Sequence, residues 1–230
     1  MPRVEQIGLA TLYLGDCREI APTLERPAAV ISDPPYGMRW DTNAKRFSGG
    51  AESSQAQRGQ GKDWGAPVVG DDAAFDPAPW LAADAVVLWG ANHYAAALPI
   101  GTTLVWIKRL EGAFGSFLSD AEIAWKKGGH GVYCWRDLSL MAETRDRAHP
   151  TQKPVPLMRW CIEQAKVPPG GVILDPYMGS GSTGVVAVEM RHPFVGVEID
   201  PGYFDTACRR IEAAQRQGDL FRDAVAGAAA

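Results

Sequence analysis

Cysteine is scarce in this chain of 230 residues, with only Cys17, Cys134, Cys161 and Cys208. They are scattered and form no C-x-x-C pair. That excludes a disulfide framework and argues against a zinc site, so a metal-free protein in a reducing cytoplasm is expected. Long apolar runs are missing too. No stretch approaches the roughly 20 residues of a membrane span, and the chain opens on no signal-peptide pattern, so no membrane partner is expected. Basic excess is absent, with a formal net charge of -4. This counts against a nucleic-acid binder, although a basic face is compatible with an acidic back. No internal repeat is evident. What remains is a chain 46% hydrophobic, enough for a sizeable core, with eight tryptophans for core, interface or base stacking.

Leu9 to Leu14 alternates and reads as a strand ending at Gly15-Asp16-Cys17. Asp16 is placed to cap a helix over Arg18 to Leu24. Ala28 to Ile31 is a short apolar run, a buried parallel strand. It leaves through Ser32-Asp33-Pro34-Pro35-Tyr36. Each proline stiffens the backbone and biases its predecessor toward extended structure. One carboxylate, two prolyl carbonyls and one ring are thereby fixed at a strand's C-terminal end, where open α/β sheets bind ligands.

Gly37 to Gly70 is rich in Gly, Ser, Gln and Ala and carries more Lys and Arg than Asp and Glu. A loop of that length is either a floppy insertion or a mobile lid that meets phosphates, and the two are compatible. A short helix is expected over Asp76 to Ala83, a buried strand over Ala85 to Gly90, and another short helix through Leu98. Thr102 to Lys108 is a strand and Ala121 to Lys127 its antiparallel neighbour. His130 to Trp135 is one more strand or an excursion. From Lys108 to Lys153 basic residues interleave with Phe114, Phe117, Tyr133 and Trp135. That mixture suits nucleic acid, yet on this segment alone an ordinary solvated hairpin with a mixed surface is the better reading. His149-Pro150-Thr151-Gln152-Lys153-Pro154 precedes an amphipathic helix.

Gly171 to Leu174 is a strand that runs into Asp175-Pro176-Tyr177-Met178-Gly179-Ser180-Gly181-Ser182-Thr183-Gly184. A helix follows, then a strand ending at Glu198. This is the layout of a nucleoside-binding βαβ unit, with an acid about 20 residues on for the ribose hydroxyls. Spacing alone permits a dinucleotide. Asp175 argues against one, because a carboxylate there repels pyrophosphate and suits an ammonium or a sulfonium. S-adenosylmethionine has both, and its carboxylate suits the helix start at Ser182 and Thr183.

Asp33-Pro34-Pro35-Tyr36, the His149 to Pro154 stretch and Asp175 to Gly181, in that order, resemble the β group of the DNA amino-methyltransferases. The similarity spans about Leu9 to Glu212. It implies a Rossmann-like α/β fold, a seven-stranded, mostly parallel sheet with helices on both faces. It implies one catalytic domain over residues 1–230, with the lid at about 37–70 and a small target-recognition region at about 108–148. S-adenosylmethionine is the implied methyl donor and DNA the substrate, its target base flipped out, with a homodimer common and restriction-modification one setting. The catalytic residues implied are Asp33, Pro34, Pro35 and Tyr36. Those implied for the cofactor are Asp16, Gln152, Lys153, Asp175, Tyr177, Gly179, Gly181, Ser182, Thr183 and Glu198. Tyr177 stands where the family usually has Phe, and Ser182 where it has Thr.

The chemistry follows from the amino nitrogen of adenine, whose lone pair is shared with the ring. Asp33 and the Pro34 carbonyl accept its two hydrogens, and Tyr36 stacks on the flipped base. N4 of cytosine is the alternative target, with Asp33 favouring adenine. RNA or protein-glutamine methylation, a nicotinamide-dependent dehydrogenase and a non-catalytic DNA-binding module are the remaining readings.

Overall fold

A computed structural model describes residues 2–40, 68–115, 119–138 and 152–228, with side chains as far as residue 218. Most of the expected lid, part of the 108–148 region, and His149, Pro150 and Thr151 lie outside the described residues.

Eight strands form one sheet: β1 (Arg3–Ile7), β2 (Ala10–Leu14), β3 (Ala29–Ser32), β4 (Ala85–Trp89), β5 (Gly101–Ile107), β6 (Ala121–Arg136), β7 (Ile173–Asp175) and β8 (Phe194–Glu198). Their spatial order is β1-β2-β8-β7-β3-β4-β6-β5. The run from β2 through β8, β7 and β3 to β4 is parallel throughout. The strand beyond the expected seven is β1. It folds back antiparallel on β2 at the sheet edge, where its half-exposed side chains carry little hydrophobic signal.

β6 is paired twice. Its first half runs against β5, with Thr102 opposite Lys126 and Ile107 opposite Ala121. Its second half runs with β5 on the other edge, with Thr103 opposite Val132 and Ile107 opposite Arg136. Gly128 to Gly131 carry the chain around the start of β5, where the Thr102 hydroxyl donates to the Gly128 carbonyl at 2.8 Å. Both Ala121 to Lys127 and His130 to Trp135 are therefore strand.

The inner strands are buried on both faces. On β4, Val87 and Trp89 enter one core while Val86 and Leu88 enter the other. Each such side chain stabilises the fold by roughly 1.5–3 kcal/mol through burial. The first core is closed by α2 (Val155–Ala165), α3 (Ser182–Glu189) and the start of α4 (Pro201–Ala228), through Leu157, Ile162, Val186, Phe204 and Ile211. The second is closed by α1 (Cys17–Ile20) and by short turns that bring in Trp80 and Tyr94.

Three expected helices are shorter than their apolar spacing suggests. α1 gives way at Ile20 to a 3₁₀ turn over Ala21–Thr23, which contains Pro22. The expected helix over 76–83 is a 3₁₀ turn over Ala78–Trp80, and the one through Leu98 is two such turns. In the first two cases proline denies the backbone donor that the next helical turn needs.

Candidate active site

Four neighbouring parallel strands each end in an acid. Asp16 lies just past β2, Glu198 ends β8, Asp175 ends β7 and Asp33 follows β3. Because the strands are parallel, the four carboxylates share one edge of the sheet, the edge at which such sheets bind ligands. The proline-stiffened loop and the glycine turn, distant in sequence, are adjacent here. The Ser32 hydroxyl donates to Asp175 Oδ1 at 2.6 Å across the β3–β7 seam.

Asp33 sits among side chains from three further places in the chain. Lys153 Nζ lies 2.5 Å from its Oδ2, and the Tyr36 hydroxyl donates to its Oδ1. Lys153 also reaches Glu122 Oε2 at 3.1 Å, and Glu122 Oε1 accepts from Lys108 Nζ at 2.7 Å. Burial pushes the Asp33 carboxyl up, against the pull of Lys153. Burial acts the same way on Glu122, yet Lys153 and Lys108 together hold it down at about 2. Lys153 is desolvated, which disfavours its charge, but Asp33 and Glu122 win and raise it. A buried ammonium flanked by two carboxylates stays a cation.

The backbone of the loop is fixed by a residue that no sequence pattern marked. Asp71 is buried, and its Oδ1 accepts from the N–H groups of Tyr36, Gly37 and Met38 at 3.0, 2.8 and 3.0 Å. Its Oδ2 accepts from Trp40 N–H at 2.7 Å. Four convergent backbone donors around one carboxylate make an anion nest that the chain fills itself. The Tyr36 ring stacks on exposed His93 with centroids 4.9 Å apart. It also lies against Gly90, where a Cβ would come within 2.0 Å of the ring, so only glycine fits.

The glycine turn is held differently. Glu198 Oε2 accepts from Gly179 N–H and its Oε1 from Asp200 N–H, both at 2.8 Å. Burial raises its carboxyl to about 7. Asp175 accepts from Ser32, from Thr183 Oγ1 at 2.6 Å and from Tyr177 N–H at 3.2 Å, and burial raises it to about 6. Thr183 is thus spent on Asp175, and Ser182 faces Arg210 of α4 at 3.4 Å. Arg210 also donates to the Ser180 carbonyl at 2.5 Å. The glycines at 181 and 184 answer to packing. A Cβ at Gly181 would lie 2.9 Å from Ala207 Cβ, and one at Gly184 would strike Ile211 and Phe194.

Gln152 and Lys153, expected together at the cofactor end, part company. Gln152 accepts from Ser180 Oγ at 3.3 Å, whereas Lys153 turns to Asp33. Tyr177 packs edge-on to Phe75 and Trp80. Asp16 caps α1 through Arg18 N–H and is gripped by the Arg18 guanidinium, which lowers its carboxyl. The basic residues between 108 and 138 are largely engaged within the protein: Lys108 on Glu122, Arg136 on Glu111, and Lys127 on the Leu81 and Ala83 carbonyls. Among the described residues no helix is long and apolar enough to cross a membrane, and no cluster of metal-ligating side chains occurs.

Residues 101–209 match the family model described as DNA methylase. The chain is 42% identical over 66 residues to the DNA adenine methyltransferase YhdJ of Escherichia coli K12, a stretch covering 29% of this chain and 22% of that protein. It is 45% identical over 65 residues to the type II methyltransferase M2.DpnII of Streptococcus pneumoniae, covering 28% and 24%. The chain thus matches under a quarter of the length of these relatives. Among solved structures, M1.HpyAVI in complex with SAM superposes with a TM-score of 0.54 at 19% identity, covering 87% of this chain and 99% of that one. The cytosine-N4-specific PvuII DNA methyltransferase gives 0.54 at 15% identity, with 90% of each chain covered. The fold is the Rossmann-like one expected.

Proposed function

We propose that the chain transfers a methyl group from S-adenosylmethionine to the N6 amino group of adenine in DNA. The observation that carries this reading is the row of acids on adjacent parallel strands, with Asp33 and the glycine turn joined through Ser32 and Asp175. The name of the E. coli relative supports adenine over N4 of cytosine, and so does Asp33 itself.

The residues present fit the donor. An ionised carboxylate has about four acceptor positions, and Glu198 uses two of them on backbone N–H groups. That leaves acceptor capacity for a vicinal diol. Glu198, Asp16, Gln152, Tyr177 and the turn from Gly179 and Gly181 through Ser182 and Thr183 would hold the donor, with Asp175 acting beneath them. When bound, S-adenosylmethionine supplies a methyl group on a positively charged sulfur. Three acids near one another favour that charge.

The chain's own residues then act on the base. The Asp33 carboxylate and the Pro34 carbonyl accept the two amino hydrogens, which leaves the nitrogen lone pair directed at the methyl carbon. Pro35 keeps this acceptor pair extended and rigid, so little reorganisation remains at the moment of transfer. Lys153 and Tyr36 hold the Asp33 oxygens in place. The target base leaves the duplex, and the Tyr36 ring receives it. The stack on His93 is the kind of flat contact this ring makes, and an exposed His93 is free to yield. In this reading residues 1–230 work as one methyltransferase unit, with about 37–70 as lid and about 108–148 as recognition region. Dimerisation, a cytoplasmic setting and a restriction-modification role belong to the same proposal.

The test is transfer of radiolabelled methyl to DNA, followed by methylation-aware sequencing. N6-methyladenine at a fixed site is the expected result. N4-methylcytosine would move the target to the alternative base. No methyl incorporation, together with binding of a nicotinamide cofactor, would overturn the reading.

A further inference from the structure

Asp33, Lys153, Glu122 and Lys108 form a single file of alternating charge that runs from the buried end of the site outward. Successive contacts are 2.5, 3.1 and 2.7 Å. The side chains are 17%, 7%, 31% and 28% exposed in that order. Lys153, the most buried, touches two carboxylates, although one would balance its charge. The second is the informative one, because desolvating an extra carboxylate is costly unless it has a task.

We infer that Glu122 is a positioning residue that serves as the standing counter-ion of Lys153, leaving Asp33 free to take up the proton released in methyl transfer. The inference rests on the reading of Asp33 given above. In that step the amino nitrogen forms a bond to the methyl carbon of a sulfonium donor. The carbon–sulfur bond breaks, and its electron pair stays on sulfur. The nitrogen now carries a positive charge and one proton too many. That proton moves to an Asp33 oxygen, giving a methylamino group, a carboxylic acid and a neutral thioether. Were Asp33 the sole partner of Lys153, this protonation would leave a buried ammonium without a counter-ion. Glu122 prevents that, and Lys108 at the outer end keeps Glu122 ionised. The alternation of charge survives the proton transfer.

Other groups face this file. Tyr36 and Lys153 contact Asp33, and Tyr94 and Asp175 lie within electrostatic reach of it. The Trp89 ring lies 5.7 Å from Lys153 Nζ, and Cys161 of α2 is close enough to feel its charge. Glu122 and Tyr36 also sense one another. None of these supplies a second negative charge in contact with Lys153.

The experiment is the pH dependence of single-turnover methyl transfer to DNA at saturating S-adenosylmethionine, for the unaltered chain, Glu122→Gln, Glu122→Asp and Lys108→Met. Glu122→Gln removes a negative charge near Asp33, so Asp33 protonates less readily. The acid limb of the profile moves to lower pH, and the plateau rate falls tenfold or more. Glu122→Asp recovers part of both. Lys108→Met removes a positive charge at the half-exposed end and moves the limb the other way, to higher pH. Opposite displacements from two neighbours separate an electrostatic role from loosened packing, which lowers the rate and leaves the limb in place. If Glu122→Gln turns over normally, or slows with an unmoved limb, the inference is wrong. If Glu122→Gln fails to fold, the direction given by Lys108→Met decides alone. If the unaltered chain transfers no methyl to DNA, the proposed activity itself falls, and this inference with it.

Discussion

Two members of the acid row hold their carboxylates by opposite means. Asp33 is gripped by side chains: Lys153, Tyr36 and, through Lys153, Glu122. Glu198 is gripped by the backbone N–H groups of Gly179 and Asp200, close by in the same βαβ unit. Side chains drawn from distant places make a site whose charge is tunable and whose parts depend on one another. Backbone donors make a site that depends on the local path of the chain and binds by shape. The division suits a reaction in which one end handles a proton and the other holds a bulky donor.

The comparison breaks most sharply at Asp33. Asp33→Ala is expected to lower methyl transfer by about 10³-fold, the scale of losing a preorganised polar group in a closed site. Calorimetry should find S-adenosylmethionine affinity within a few-fold of normal. Lys153→Met comes next. It leaves Asp33 and Glu122 as adjacent carboxylates without their shared cation, and breaking a buried pair this way costs about 3–5 kcal/mol. Denaturant unfolding measures that loss.

Asp71→Ala sharpens the contrast, since it attacks the loop backbone without touching Asp33. Leaving buried donors unmet costs about 1–3 kcal/mol each at most, and water recovers part of it. The expected signature is a lower kcat with little change in donor affinity, and Asp71→Asn restores only part of the rate. The smallest effect is at Glu198. Its carboxyl is raised to about 7 in the folded chain. Between its ordinary value and about 7 the folded state therefore binds more protons than the unfolded one, and stability falls as pH rises through that window. Glu198→Gln should flatten this slope by up to about 3 kcal/mol, at roughly 1.4 kcal/mol for each unit between the ordinary value and about 7. Thermal unfolding at pH 4 and pH 8 checks it, with the variant gaining only at pH 8.

The same contrast explains what could be read from the sequence. The glycine turn, Glu198 and the strands around them are written in one contiguous stretch of alternating strand, turn and helix, and the pattern is local. The parallel inner strands announce themselves as short apolar runs because both faces are buried. Asp33 was legible through its two prolines. Its supports were not. Lys153, Glu122 and Lys108 come from separate elements, and only the fold brings them together. Asp71 was not legible, because an anion nest is built from backbone donors that have no sequence signature. Arg210 reaches the Ser180 carbonyl only because the fold packs α4 against the glycine turn. The β6 crossover was half legible: both segments were strand-like, but nothing local says that a strand will pair on either side of the same neighbour. The glycines at 181 and 184 also meet a packing demand that the sequence does not show, since α4 and β8 press on them.

The most direct test is calorimetric titration with a bisubstrate compound, the N6 of adenosine tethered by a short linker to the atom that replaces sulfur in an S-adenosylmethionine analogue. If the Asp33 loop and the Glu198 turn open into one cleft, this compound binds at least tenfold tighter than S-adenosylhomocysteine. Asp33→Ala then removes much of the gain, whereas Glu198→Ala weakens both compounds alike. Binding no tighter than S-adenosylhomocysteine and indifferent to Asp33→Ala would contradict the account.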